Sequence, residues 1–168
     1  MGKKLIFIFL LIGLTTNLKA QVYLDVLYKQ ANEMALSVSK GDYKTLMKYT
    51  HPKVVKMMGG NEKAISTLKQ TMLSMKQQGL QFDKLNIGKV VQTIKSPKDI
   101  QAIVPQILEM KFGGKTIHSN SYLFCISYDA GKNWYFLDTG TTQEPQLRKM
   151  FPEISPKLVI PKSNKIIN

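Results

Sequence analysis

QAIVPQILEMKFGGKTIHSNSYLFCISYDAGKNWYFLD, residues 101–138, holds two turn signals inside alternating runs of apolar and polar residues. Gly113-Gly114 separates residues 107–112 from the run that begins at Lys115. A glycine pair in that position suits the positive backbone angles of a two-residue hairpin turn. Asp129-Ala130-Gly131-Lys132 then divides residues 122–128 from 133–138, so the three runs are expected to form an antiparallel meander. Side chains alternate across a strand, which places Val104, Gln106, Leu108, Met110 and Phe112 on one face and Ile103, Pro105, Ile107, Glu109 and Lys111 on the other. The first face is the better candidate for the covered side. Pro105 has no amide hydrogen to give a ladder, so it predicts an edge position or a bulge.

Just upstream, Leu80 and Phe82 alternate, then Leu85 and Ile87, with a phase slip at Asp83-Lys84 that predicts a bend. Residues 89–95 are a further strand candidate, and Ser96-Pro97-Lys98-Asp99 is a turn into the meander. Earlier still the period is helical. Leu24, Leu27, Tyr28, Ala31, Met34, Ala35 and Val38 predict an amphipathic helix over 23–40, ended by Gly41. Asp42 is placed to cap a second helix over 43–49, and Pro52 to open a third that Gly59-Gly60 terminates. Asn61 is expected to cap a fourth, with Ile65, Leu68, Met72 and Met75 as its buried stripe; methionine at helical spacing is adaptable packing. Downstream, residues 139–143 are loop and 146–151 one or two helical turns, while Pro152, Pro156 and Pro161 oppose regular structure and 162–168 is expected to fray.

The chain has 168 residues, 43% hydrophobic and 21% charged, which suits one ordinary globular domain. Lys3-Lys4, an apolar run over 5–14 and a polar stretch ending at Ala20 have the form of a secretory signal peptide. The expected division is therefore 1–20 signal, 21–161 a single domain and 162–168 a flexible tail, with cleavage near Ala20 and export to the periplasm or beyond. No later segment is long and apolar enough to span a membrane. Losing Lys3, Lys4 and Lys19 with the signal lowers the formal charge from +13 to +10. That charge is scattered lysine, with Arg148 the single arginine, so specific nucleic-acid binding is not expected. Cys125 stands alone and cannot form an internal disulfide; within Leu123-Phe124-Cys125-Ile126 it reads as a small buried apolar residue.

Helices first and a bent antiparallel sheet afterwards is the order of an α+β domain with helices packed on the sheet. That order, with Gly41-Asp42-Tyr43 between helices, Thr50-His51-Pro52 after them and Gly131-Lys132-Asn133-Trp134-Tyr135-Phe136 at the close, resembles small secreted bacterial proteins of the nuclear transport factor 2-like (cystatin-like, SnoaL-like) cone fold. The resemblance covers most of 23–138. It implies a sheet wrapped around the long helix into a cone whose open end can hold a small ligand. Members include isomerases, dehydratases, binding domains and dimeric adaptors, so the fold alone does not decide function.

His51 is either a base near the cavity mouth or a cap residue ahead of Pro52. Asp138 shares a face with Trp134 and Phe136 and is either an acid or base beside aromatics or the cap of the following turn. Tyr28, Tyr43, His51, Tyr122 and Trp134 are the candidate ligand-binding residues. Residues 127–134 resemble an Asp-box hairpin, with Asn133 in place of the usual hydroxyl residue; a single copy reads as turn chemistry. Two distant histidines, one cysteine and scattered acids have no metal-ligand spacing, and no phosphate-cradling loop is present, so no cofactor is expected. The leading expectation is a secreted, non-catalytic binding or accessory domain for a small apolar ligand or a protein partner. The alternatives are a cofactor-independent enzyme of isomerase or dehydratase type, with His51 or Asp138 as base beside Tyr28, Tyr43 or Tyr122, and a homodimer joined through the outer sheet face.

Overall fold

The structure, a computed structural model, describes residues 3–140 and 142–168, with side chains from residue 22 onward. The signal peptide expected over 1–20 lies outside the residues whose side chains are described. Among the described residues no helix is long and apolar enough to cross a membrane.

Helix α1 (Lys3–Lys40) buries Leu27, Ala31, Met34 and Ala35, the helical spacing of its apolar stripe. It stops at Gly41, whose φ of +71° lets the amides of Gly41 and Asp42 bond back to Val38 and Ser37. Asp42 is then free to cap α2 (Tyr43–Tyr49), accepting the Thr45 amide at 3.1 Å. Pro52 opens α3 (Pro52–Met57), and α4 (Asn61–Gln77) follows the Gly59-Gly60 stop. Two helix expectations are corrected here. Gly60, not Asn61, is the N-cap of α4, because Asn61 already has helical geometry and no side chain caps the turn. The stripe Ile65, Leu68, Met72 and Met75 is only half-buried; Ala64 is the buried residue of α4, which rests on α2 and α3 rather than on the sheet.

The rest is an antiparallel, open, curled six-stranded sheet, β1 (Gln81–Ile87), β2 (Gln92–Lys95), β3 (Ile100–Phe112), β4 (Lys115–Ser127), β5 (Tyr135–Asp138) and β6 (Asn164–Ile167), so the chain is α+β. Strands β3 and β4 are its axis, closed by Gly113 and Gly114 at φ +58° and +77°. The slip at Asp83 is a register shift between Phe82 and Lys84, where β1 bends against β3. Pro105 lies where one edge of β3 passes from β1 to β2. Its carbonyl accepts the Gly88 amide at 2.8 Å, and residues 88–91 bridge the gap in the ladder, so its missing amide hydrogen costs no strand bond.

Residues 100–104 of β3 and 123–127 of β4 are covered on both faces. On the inner face Ala102, Val104, Leu123, Cys125 and Phe136 pack against α1 and α2. On the outer face Ile103, Phe124 and Ile126 pack against α5 (Glu144–Met150) and the irregular residues 151–160, through Leu147, Phe151, Ile154 and Leu158. The prolines keep this segment irregular without keeping it exposed, because side-chain amides take the place of a ladder. Gln101 donates to the Glu153 carbonyl at 2.7 Å and accepts the Ser155 amide at 2.8 Å; Gln92 does the same with Lys157 and Val159. Arg148 donates to the Ser155 and Leu158 carbonyls. The expectation that 162–168 frays is corrected as well. Strand β5 pairs only residues 123–126 of β4, which leaves the other end of that edge open, and β6 fills it against Ile117, His118, Ser119 and Asn120.

Candidate functional site

The inner face is apolar as far as Val104, Leu123 and Phe136 and then changes character. Gln106, Ser121 and Asp138 stand side by side on β3, β4 and β5, because Gln106 pairs with Ser121 and Asp138 with Leu123. Gln106 is 7% exposed and donates its amide hydrogens to Asp138 Oδ2 at 3.0 Å and Ser121 Oγ at 3.2 Å. Asp138 Oδ1 accepts the Gly140 amide at 2.7 Å. An ionised carboxylate can only accept, so this network fixes the orientation of the Gln106 amide: its NH2 faces Asp138 and its carbonyl oxygen points away. That oxygen has no hydrogen-bond partner among the described residues.

Beside this row lies a half-open cavity of about 370 Å³. Its helical wall is Met34 and Val38 of α1, Leu46 of α2 and Val54 of α3; its sheet wall is Phe82, Leu85, Leu108 and Phe136, with Gln106 and Asp138 among the lining residues. The cavity lies where α4 packs mainly on α2 and α3, and where β1, bent at Asp83, packs on α1. Its volume is that of a small-molecule pocket, and its composition, apolar with a few polar groups at one end, is the usual one. A second depression of about 330 Å³ shares Val38, Phe82 and Leu85 with it but adds Asn32, Ser39, Asp83 and Lys84, so its lining is mixed.

Asp138 therefore belongs to the cavity, and His51 does not. His51 is 3% exposed and serves as the N-cap of α3: Nδ1 accepts the Lys53 amide at 3.2 Å. Its neutral form then carries the proton on Nε2, which faces Glu153 Oε1 and the Tyr128 hydroxyl, both at 3.4 Å, while the ring stands edge-on to Phe151. Burial holds its pKa below the ordinary histidine value, against the upward pull of Glu153. His51 thus ties the α2–α3 junction to the C-terminal cover of the outer face and shares no side-chain hydrogen-bond partner with Asp138 among the described residues.

The other predicted positions are dispersed. Tyr28 accepts the Val90 amide at 2.7 Å and pins the 88–91 connection to α1. Tyr43 lies half-buried beside Gly41. Tyr122 packs with the outer core. Trp134 is buried at the opposite end of the inner core, its ring nitrogen donating to the Gly131 carbonyl at 3.1 Å. None of the four is among the residues that line the cavity. The hairpin of 127–134 is turn chemistry: Asp129 accepts the Asn133 amide at 2.9 Å, and Ala130 and Gly131 have φ of +60° and +89°. Burial raises the Cys125 thiol well above its ordinary value, which makes it inert packing. Among the described residues no group of three or more His, Cys, Asp or Glu side chains is placed to hold a metal ion.

Sequence reasoning missed Gln106 and Ser121. The signal was present: a glutamine interrupts the apolar face of β3, and a two-residue turn at Gly113-Gly114 sets it opposite Ser121. Comparison of the chain with protein-family models, with curated proteins and with solved structures returns no match.

Proposed function

We propose that the chain is an exported binding or accessory domain, built on the nuclear transport factor 2-like cone plan, that holds a small apolar or amphipathic molecule in the cavity between α1, α2, α3 and the inner sheet face. The observation that carries this is the half-open apolar cavity of about 370 Å³ ending at Gln106 and Asp138, which Ser121 joins from behind. Binding is favoured over catalysis because the two candidate bases do not converge: His51 is committed to a helix cap and to Glu153, and no tyrosine lines the cavity beside Asp138. A homodimer through the outer sheet face is disfavoured over Ile103, Phe124 and Ile126, which the chain's own C-terminal segment already covers.

A neutral solvatochromic dye, Nile red, tests the cavity. Its emission is expected to rise and shift to the blue with the wild-type chain, and to lose most of that response in Leu108→Trp, whose indole fills the space. A dye that ignores the wild-type chain, or binds the folded Leu108→Trp variant equally well, overturns the proposal. For export, N-terminal sequencing of the chain recovered outside the cytoplasm is expected to begin at Gln21.

A further inference from the structure

Gln106 is more than nine-tenths buried, lines the cavity and leaves its carbonyl oxygen without a partner among the described residues. The oxygen is not sealed off: among the described residues the buried side-chain polar atom that lacks a partner is Ser163 Oγ, which lies beside Gly140, next to Ser121 and Asp138. An acceptor in the wall of a half-open cavity is met by water or by a donor of whatever occupies the cavity. Asp138 next to it carries a full negative charge when ionised, and no lysine, arginine or histidine among the described residues forms an ion pair with it. Its neighbours in the row are neutral donors that orient the carboxylate without neutralising it. The polar end of the cavity thus offers acceptors and negative charge, and it does so on a chain whose formal charge is +13.

Resting on the reading of the cavity as a ligand site, we propose that the row Gln106, Ser121 and Asp138 is its head-group subsite and takes the cationic, donor-bearing end of an amphipathic molecule, a primary amine on an apolar body. The ammonium carries three donors and no acceptor, which matches the Asp138 carboxylate and the Gln106 carbonyl together. The apolar body lies against Leu46, Phe82, Leu108 and Phe136. Asp138 is exposed at the mouth, so the charged end stays in reach of water while the tail is buried. A carboxylate head in the same place would face Asp138 with like charge, and a hydroxyl would satisfy one acceptor without answering the charge.

Three probes of equal chain length separate these cases: octylammonium, 1-octanol and octanoate, each titrated against Nile red on the full chain. Octylammonium is expected to bind about five- to tenfold more tightly than octanol, the range of one charge-assisted hydrogen bond at a partly hydrated site. Octanoate is expected to be the weakest, although the net charge of the chain attracts anions from a distance. Asp138→Asn is expected to bring octylammonium down to the level of octanol. Gln106→Leu gives a second variant in which the Asp138–Gly140 turn is untouched, with a smaller loss of the same preference. Octanoate equal to or tighter than octylammonium, or an ammonium preference that survives Asp138→Asn, overturns the head-group assignment. So does a failure of octylammonium to displace bound Nile red, and in that case the cavity reading stands alone. If Nile red itself does not bind, both fall.

Discussion

Strand β3 buries two glutamines five residues apart, 2% and 7% exposed, and treats them in opposite ways. Gln101 faces outward, and both ends of its amide are bonded to the chain's own C-terminal segment, at Glu153 and Ser155. Gln106 faces inward, and only its NH2 is bonded, to Ser121 and Asp138. A buried amide whose partners the chain supplies is part of the architecture. One on a cavity wall whose acceptor the chain leaves unpaired among the described residues is open to a partner from outside. The same alternation that sorts side chains to two faces thus separates a closed seam from a receptive one.

Truncating the closed seam is the severest way to break this contrast. Phe151 is fully buried among Ile103, Phe124 and Leu147 and supports the His51 ring edge-on. Phe151→Ala is expected to cost about 3–5 kcal/mol in urea unfolding, since lost transfer energy and an unfilled cavity add. A loss under 1 kcal/mol would mean that residues 151–160 do not seal the outer face in solution. Gln101→Leu removes one donor and one acceptor from the backbone of Glu153 and Ser155, and a cost of about 1–3 kcal/mol is expected. Hydrogen exchange would show the loss concentrated in 151–160.

A smaller, pH-dependent effect comes from His51. Burial disfavours its imidazolium, so its folded pKa lies below that of the unfolded chain, near 6.5. The unfolded state then binds the proton more readily. His51 costs nothing above about pH 6.5, where both states are neutral, and destabilises the fold increasingly as pH falls from there through its depressed folded value. His51→Asn keeps an acceptor for the Lys53 amide but cannot titrate. The difference in urea midpoint between pH 7.5 and pH 5.5 is expected to be smaller in that variant than in the wild type; an unchanged difference would place the pH response elsewhere.

Much of the closed and open faces was legible in the sequence, and the limits have physical causes. Gly113-Gly114 declares the hairpin because few other pairs accept two positive φ angles, and the slip at Asp83 declares the bend because a period of two cannot skip a residue without a bulge. Asp138 was legible as a carboxylate on the face of Phe136. The C-terminal cover was not. Phe151, Ile154 and Leu158 keep helical spacing, but Pro152 and Pro156 break any helix there, and glutamine side chains rather than a ladder hold the segment, which no local pattern announces. His51 was ambiguous for a related reason: its Nε2 neighbours, Tyr128 and Glu153, are far away in sequence, and only the fold brings them to the imidazole. Gln106 was visible as a polar break in an apolar face, yet its meaning depended on a partner two strands away.

Gln106→Leu is the mildest substitution and the sharpest test of the contrast with Gln101. Leucine keeps most of the volume and removes an amide whose carbonyl has no partner, so the desolvation cost recovered offsets the bonds lost to Ser121 and Asp138. Asp138 keeps the Gly140 amide and access to water. Stability is therefore expected to change by less than about 1 kcal/mol, against the larger loss for Gln101→Leu on the same strand. A loss as large as that of Gln101→Leu would mean that the carbonyl of Gln106 is already satisfied in solution, by ordered water or by a collapsed cavity wall. The two glutamines would then be equivalent, and the inner face as closed as the outer.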